Sequence, residues 1–304
     1  MRVGLVQADG KLPNLALMQI SAYHENQGHQ VEWWQGPLFN QTYDQVYVSK
    51  IFKFSTLPEG LPDTAKIGGT GIDWTNKLPD EMYDLPPSYS LYPDCDYHLG
   101  FSMKGCRFAC KFCVVPKKEG RPFHNSTISQ LLINKKGGDR LMLLDNDFFG
   151  SPNWEGDITE IIRRKLKVCF VQGLNIRIIT AEQAELLAMT RYYNSSFKKR
   201  YLTFAWDKYR DERIVMKGMD ICEAAGIPAR NMQFFVLIGF DTTPEQDMER
   251  VQKLFSRGAL PYVMAYDRTD PYQRDFQRWV NHRAIFKTVP WEEYQGSRAS
   301  VMIN

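Results

Sequence analysis

The run Tyr97-His98-Leu99-Gly100-Phe101, followed by Cys106-Arg107-Phe108-Ala109-Cys110-Lys111-Phe112-Cys113, decides how this chain is read. The first part has the length and apolar character of a buried strand. The second is a cysteine-rich loop at that strand's C-terminal end. Working outward, the pattern becomes regular. Strand candidates at Leu141–Leu144, Val168–Val171, Tyr201–Ala205, Met232–Ile238 and Tyr262–Ala265 alternate with helix candidates at Thr127–Asn134, Trp154–Lys165, Ala181–Met189 and Glu212–Ala225. A further helix opens on Thr243-Pro244-Glu245 and carries Met248, Val251 and Phe255 on one face. Ser126 and Thr180 are the expected N-caps, and Gly226 and Pro228 stop the Glu212 helix. Six strand–helix repeats predict an α/β fold with a parallel sheet and helical crossovers. Closing partway, they give a partial (β/α)6 barrel, in which chemistry sits at the C-terminal ends of the strands.

Upstream, Val3–Gln7, a helix bearing Leu15, Met18 and Ala22 and closed by Gly28, and strands at Val31–Trp34 and Val46–Phe52 read as a small Rossmann-like α/β region, 1–56. Pro13 can start its helix. No G-x-G-x-x-G is present, which argues against a dinucleotide. Residues 57–94 are rich in Pro, Gly and Asp and read as a linker with one short strand near Ala65–Ile67. The barrel occupies 95–266, and a C-terminal helical extension occupies 267–304.

That extension interleaves Arg268, Arg274, Arg278, His282, Arg283 and Lys287 with Tyr272, Phe276, Trp279 and Phe286. Arginine among aromatics can bind nucleic acid or nucleotides. Asp267, Asp270, Asp275, Glu292 and Glu293 nearly balance that charge, and the commoner meaning is an amphipathic helix covering the barrel. The whole chain of 304 residues carries a formal charge of only +3, so charge neither demands nor excludes such a partner. No apolar run is long enough for a membrane span. The opening Met1-Arg2-Val3-Gly4-Leu5-Val6 is interrupted too early by Gln7 and Asp9 for a signal peptide. A cytoplasmic location is expected.

Three of the six cysteines lie within eight residues, unlike a secreted disulfide framework. Their C-x3-C-x2-C spacing suits metal or redox chemistry. Thiolates are the usual ligands of iron–sulfur clusters, and three of them on a four-iron cluster leave one iron open. Lys104, Arg107 and Lys111 would offset the negative charge, and Gly105 would allow a tight turn before the first ligand. The bland alternative is structural zinc completed by Cys95, His98 or His124, although zinc sites of this kind normally show two paired motifs.

The spacing, with an aromatic residue just before the third cysteine, resembles the signature of the radical S-adenosylmethionine superfamily, and the resemblance extends over about Tyr97 to Ala265. It implies a [4Fe-4S] cluster held by Cys106, Cys110 and Cys113. It also implies reductive cleavage of S-adenosylmethionine to a 5′-deoxyadenosyl radical, hydrogen abstraction from a substrate, and an external electron donor of flavodoxin or ferredoxin type. By the same resemblance, Asp145 or Asn146 would receive the amino group of S-adenosylmethionine, although the family's Gly-Gly-Glu is missing here. The backbones of Phe112 to Val114 and of Leu237, Ile238 and Gly239 would contact adenine.

The residues themselves add Arg177, a guanidinium that could pair with a carboxylate, and Asn175, a hydrogen-bonding side chain beside it. Trp206-Asp207 could line the pocket. Each has a plainer reading: Asp145-Asn146 as the end of a strand, Arg177 as a surface arginine and Trp206 as core.

No cysteine precedes Cys95 or follows Cys222, so second clusters are not expected at either end. The N-terminal region resembles a shortened cobalamin-binding region, but it lacks Asp-x-His-x-x-Gly; His24 and His29 have no such context. A cobalamin-dependent radical methyltransferase is therefore the alternative enzyme. A zinc- or cluster-stabilised binding module is the non-enzymatic one. A nucleotide or nucleic-acid base is a candidate substrate, suggested by the basic aromatic tail.

Overall fold

The computed structural model describes residues 1–83, 85–133 and 138–294. The N-terminal run folds as β1 (Arg2–Gln7), α1 (Leu15–Asn26), β2 (Gln30–Trp33), β3 (Gln45–Ser49), β4 (Lys66–Gly68) and α2 (Asp80–Tyr83). Asn14 caps α1 by accepting from the Leu17 amide, one residue beyond Pro13. The four strands pair in parallel in the order β2-β1-β3-β4. Alternation sorts their side chains: Val3, Leu5 and Tyr47 pack with Leu17 and Ile20 of α1, while Val6, Val46 and Val48 face away. The third strand ends at Ser49, short of the expected Phe52. Asp9, just past β1, accepts from the Ile51 and Phe52 amides and the Ser55 hydroxyl, which turns the chain out of the sheet.

The regular region contains β5 (His98–Gly100), β6 (Met103–Lys104), α3 (Val115–Lys118), β7 (Phe123–His124), α4 (Ile128–Leu131), β8 (Arg140–Leu143), α5 (Trp154–Arg163) and β9 (Lys167–Phe170). It continues through α6 (Ala181–Met189), β10 (Arg191–Tyr192), β11 (Leu202–Ala205), α7 (Glu212–Ala224), β12 (Met232–Ile238), α8 (Pro244–Ser256) and β13 (Leu260–Ala265). Thr180 and Thr243 cap α6 and α8 with full capping boxes. The cap of α4 is Thr127, paired with Gln130, and not the expected Ser126. Asn134 and Gly137, expected at and just past that helix's end, lie outside the described residues.

The result is a mixed α/β fold with several parallel sheets. The strands after residue 95 form one sheet of order β10-β9-β8-β5 and another of order β11-β12-β13, both wholly parallel. Among the described residues one bridge, Leu174 to Phe204, joins them, with the Leu174 amide donating to the Thr203 carbonyl at 2.8 Å. The break has a local cause. β10, too short for periodicity to reveal, occupies the edge of β9 over Lys167 and Val168. β11 therefore meets that edge only beyond the end of β9. Among the described residues β5 and β13 do not pair, so the strands do not close into a barrel. β6 and β7 form a small antiparallel pair that brackets the cysteine loop.

Both faces of the first of these sheets are buried, as parallel sheets require. Leu141, Leu143, Val168 and Phe170 pack with Ile158 and Ile161 of α5. On the opposite face Leu99, Met142 and Cys169 meet Met18 of α1 and Tyr92 and Cys95. The helices α9 (Pro271–Asn281) and α10 (Arg283–Thr288) follow, and α9 packs on β13 with Phe276, Trp279 and Val280 buried. No helix among the described residues is long and apolar enough to cross a membrane.

One buried ion pair pins the ends of β11 and β12. Arg250 on α8 donates to the Trp206 carbonyl at 2.7 Å, the Leu237 carbonyl at 2.8 Å and Asp247 at 2.6 Å. Both members of the pair are wholly shielded from water. Removing one partner strands the other charge in the interior. Arg250→Ala is expected to cost about 3–5 kcal/mol in denaturant-induced unfolding, whereas Arg163→Ala, on a solvated pair, should cost less than about 1 kcal/mol.

Candidate functional site

Asp145-Asn146-Asp147 leaves the end of β8, and its three side chains hold three points of the cysteine loop that follows β5. Asp145 is buried and accepts from the Ser102 amide at 2.8 Å, the Met103 amide at 3.3 Å and the Ser102 hydroxyl. Burial pushes its carboxyl up to about 7 against the pull of those bonds. Asn146 donates to Glu119 at 2.9 Å, and the same Glu119 oxygen accepts from the Gly105 amide at 3.0 Å. Asp147 receives the Arg107 backbone amide at 3.0 Å and a bidentate guanidinium contact at 2.7 and 2.8 Å. Gly105 has φ +82°, and a Cβ there would stand 2.3 Å from the Arg121 carbonyl oxygen, so the turn tolerates only glycine.

The clamped loop spreads over the C-terminal ends of strands from both sheets. Phe108 lies against the Arg177 guanidinium at 4.8 Å from its ring centre. Phe112 meets Phe240 edge-on at 5.4 Å, and Phe240 meets Tyr266 at 4.9 Å. Asn175 accepts from the Arg177 amide at 3.2 Å and from its Nε at 3.1 Å, which aims the guanidinium at Asp211, 3.0 Å away.

Asp207 follows β11 and is half-buried. Withdrawal from water raises its carboxyl to about 6, opposed by Arg177, Arg250 and the Leu237 amide and reinforced by Asp211. Cys113 lies within electrostatic reach of Asp207 and Glu119, and burial pushes its thiol up. Val114 precedes α3, its carbonyl accepting from Lys117 and Lys118. The Leu237 carbonyl is taken by Arg250, and the Ile238 carbonyl accepts from the Tyr266 amide at 3.2 Å. Gly239 has φ +75°, and a Cβ there would fall 2.1 Å from the Gln273 amide carbon. The close approach that this glycine permits is filled by a side chain of α9.

The resemblance to radical S-adenosylmethionine enzymes is overturned. Among the described residues no group of three or more His, Cys, Asp and Glu side chains is placed to hold a metal ion. Cys106, Cys110 and Cys113 are free thiols. Burial pushes the Cys106 thiol up to about 11, with Asp147, Cys113 and Cys110 adding to the effect, so it is held as a neutral thiol. Of the cations expected to offset a cluster, Arg107 is committed to Asp147, and Lys104 is buried with its ammonium 3.6 Å from the centre of the Tyr83 ring.

The [4Fe-4S] cofactor, S-adenosylmethionine, cobalamin, the flavodoxin- or ferredoxin-type donor and the radical enzyme activity fall together. So do the cobalamin methyltransferase and the zinc-stabilised module. The nucleotide or nucleic-acid substrate falls with them, and Phe276 and Trp279 of the tail are spent in the core.

The sequence matches no protein-family model and no curated protein. Glu119, Asp211 and Gln273 were missed. Glu119 sits in a Lys-Lys-Glu-Gly run that reads as a solvated turn, and nothing local marks the other two. If the clamp holds the loop, Asp147→Ala should raise amide hydrogen exchange over residues 105–119 by about tenfold or more, since a charge-assisted bidentate contact is worth about 1.5–3 kcal/mol. Unchanged exchange there would show that the loop is held by other contacts.

Proposed function

We propose that β5, β8, β9, β11, β12 and β13 form an incomplete (β/α)6 barrel whose C-terminal mouth binds a small amine- or guanidine-bearing molecule at Asp207. In this reading 1–56 and 57–94 support the barrel of 95–266, and 267–304 covers its side. The strand order and the Leu174–Phe204 bridge support the architecture.

The observation that carries the ligand reading is the charge around Asp207. Arg177 is paired with Asp211 and Arg250 with Asp247, so two guanidinium groups face three carboxylates, and Asp207 is the uncompensated one. A half-buried carboxylate at a strand's C-terminal end favours a cationic partner that replaces lost water. Phe112, Val114, Asn146, Asn175, Arg177, Leu237, Ile238 and Gly239 frame the same mouth. Phe108, beside Arg177, and Phe112, beside Phe240, offer aromatic surface to the apolar part of such a ligand.

The proton on Asp207 sets the pH dependence. A carboxyl near 6 is mostly neutral at pH 5 and mostly charged at pH 7. Agmatine and related small amines, titrated by calorimetry, are expected to bind about five- to tenfold more tightly at pH 7 than at pH 5. Asp207→Asn should bind about tenfold more weakly at pH 7 and lose that dependence. Equal binding by the two proteins would overturn the assignment.

Stability supplies a second readout. The folded carboxyl is raised from 3.8 to about 6, so the native state holds more protons than the unfolded one between those values. This group's contribution to stability is therefore full below about pH 4 and is lost as pH rises through about 6. Thermal unfolding of Asp207→Asn should lack that decline relative to the parent.

A further inference from the structure

A cavity of about 530 Å³ opens at the C-terminal ends of β1 and β2. Gln7, Lys11, Trp33, Tyr92, Asp94 and Tyr97 line it. Its size falls in the range of small-molecule sites.

Its wall is rigid before any ligand arrives. Trp33 and Tyr92 meet edge-on at 5.3 Å. The Tyr92 hydroxyl donates to Gln7 at 2.7 Å, and the Gln7 amide nitrogen donates in turn to the carbonyls of Asp9, Gly10 and Leu12. Aromatic rings fixed in this way lose little entropy on binding.

The polar groups at this cavity narrow the choice of ligand. The side chains of Lys11 and Asp94 form no ion pair, and the Trp33 indole N–H has no acceptor, among the described residues. One free cation and one free anion suit a ligand that carries both charges and no net charge.

We propose that this cavity binds a free aromatic amino acid, with its ring against Trp33 and Tyr92, its carboxylate toward Lys11 and its ammonium toward Asp94. The test is calorimetric titration of the full chain with L-tryptophan, indole and L-alanine, together with ¹⁵N-edited spectra of the indole N–H groups. L-tryptophan should bind saturably and shift the Trp33 indole resonance, identified by its absence in Trp33→Phe. Indole, lacking the charges, and alanine, lacking the ring, should each bind about tenfold or more weakly. Lys11→Glu, an exposed change that leaves the core untouched, should weaken L-tryptophan binding by about tenfold. Absence of saturable binding at millimolar concentration overturns the proposal. So does indole binding as tightly as L-tryptophan, or a Lys11→Glu variant that binds as the parent does.

Discussion

A carboxylate taken out of water has to be given hydrogen bonds or a proton, and Asp145 shows how much structure follows from that demand. Its donors come from Ser102 and Met103, at the end of the neighbouring strand, so satisfying it fixes the start of the cysteine loop. Asn146 and Asp147 repeat the device further along the same loop. Three consecutive side chains thus decide the path of 18 residues of backbone, from Ser102 to Glu119. The positions of Phe108 and Phe112 over the strand ends depend on that path.

A comparable economy operates beneath β11 and β12. Arg250 spends its hydrogen bonds on two strand-end carbonyls and one aspartate, and so decides where Asp207 can stand. Asp145 and Asp207 differ in what opposes their burial. Asp145 receives donors from backbone and hydroxyl, and Asp207 receives mainly the fields of guanidinium groups that are already partnered.

The strands and helices were legible where periodicity ran long. Met232–Ile238 and Ala181–Met189 have the bounds their apolar spacing predicts, and Thr180 caps as its position suggests. The two sheets were not legible, because their separation rests on β10, two residues with no pattern. The site was legible only as places along the chain. Asp145 and Asp207 follow strand ends and Arg177 sits in the loop after β9, but the groups that act on them, Ser102, Arg250 and Asp211, are 34 to 43 residues away, and no local signal joins them. Asp247 and Arg250, three residues apart on a helix, look in sequence like any solvated pair; only packing shows that they are buried. The cysteine spacing misled because a motif gives order along the chain, whereas metal binding needs the side chains to converge.

The single bridge between Leu174 and Phe204 makes the strand series mechanically uneven. Within each sheet, neighbouring strands are laced by several backbone bonds; across this seam, among the described residues, there is one bridge. Thermal motion that widens the molecule will therefore concentrate at the seam, as a sheet of paper folds along a perforation. The residues on its two lips are Asn175 and Arg177 on one side and Asp207 on the other. The separation of those lips is thus governed by the compliance of a seam that exists because the two residues of β10, Arg191 and Tyr192, occupy the edge of β9.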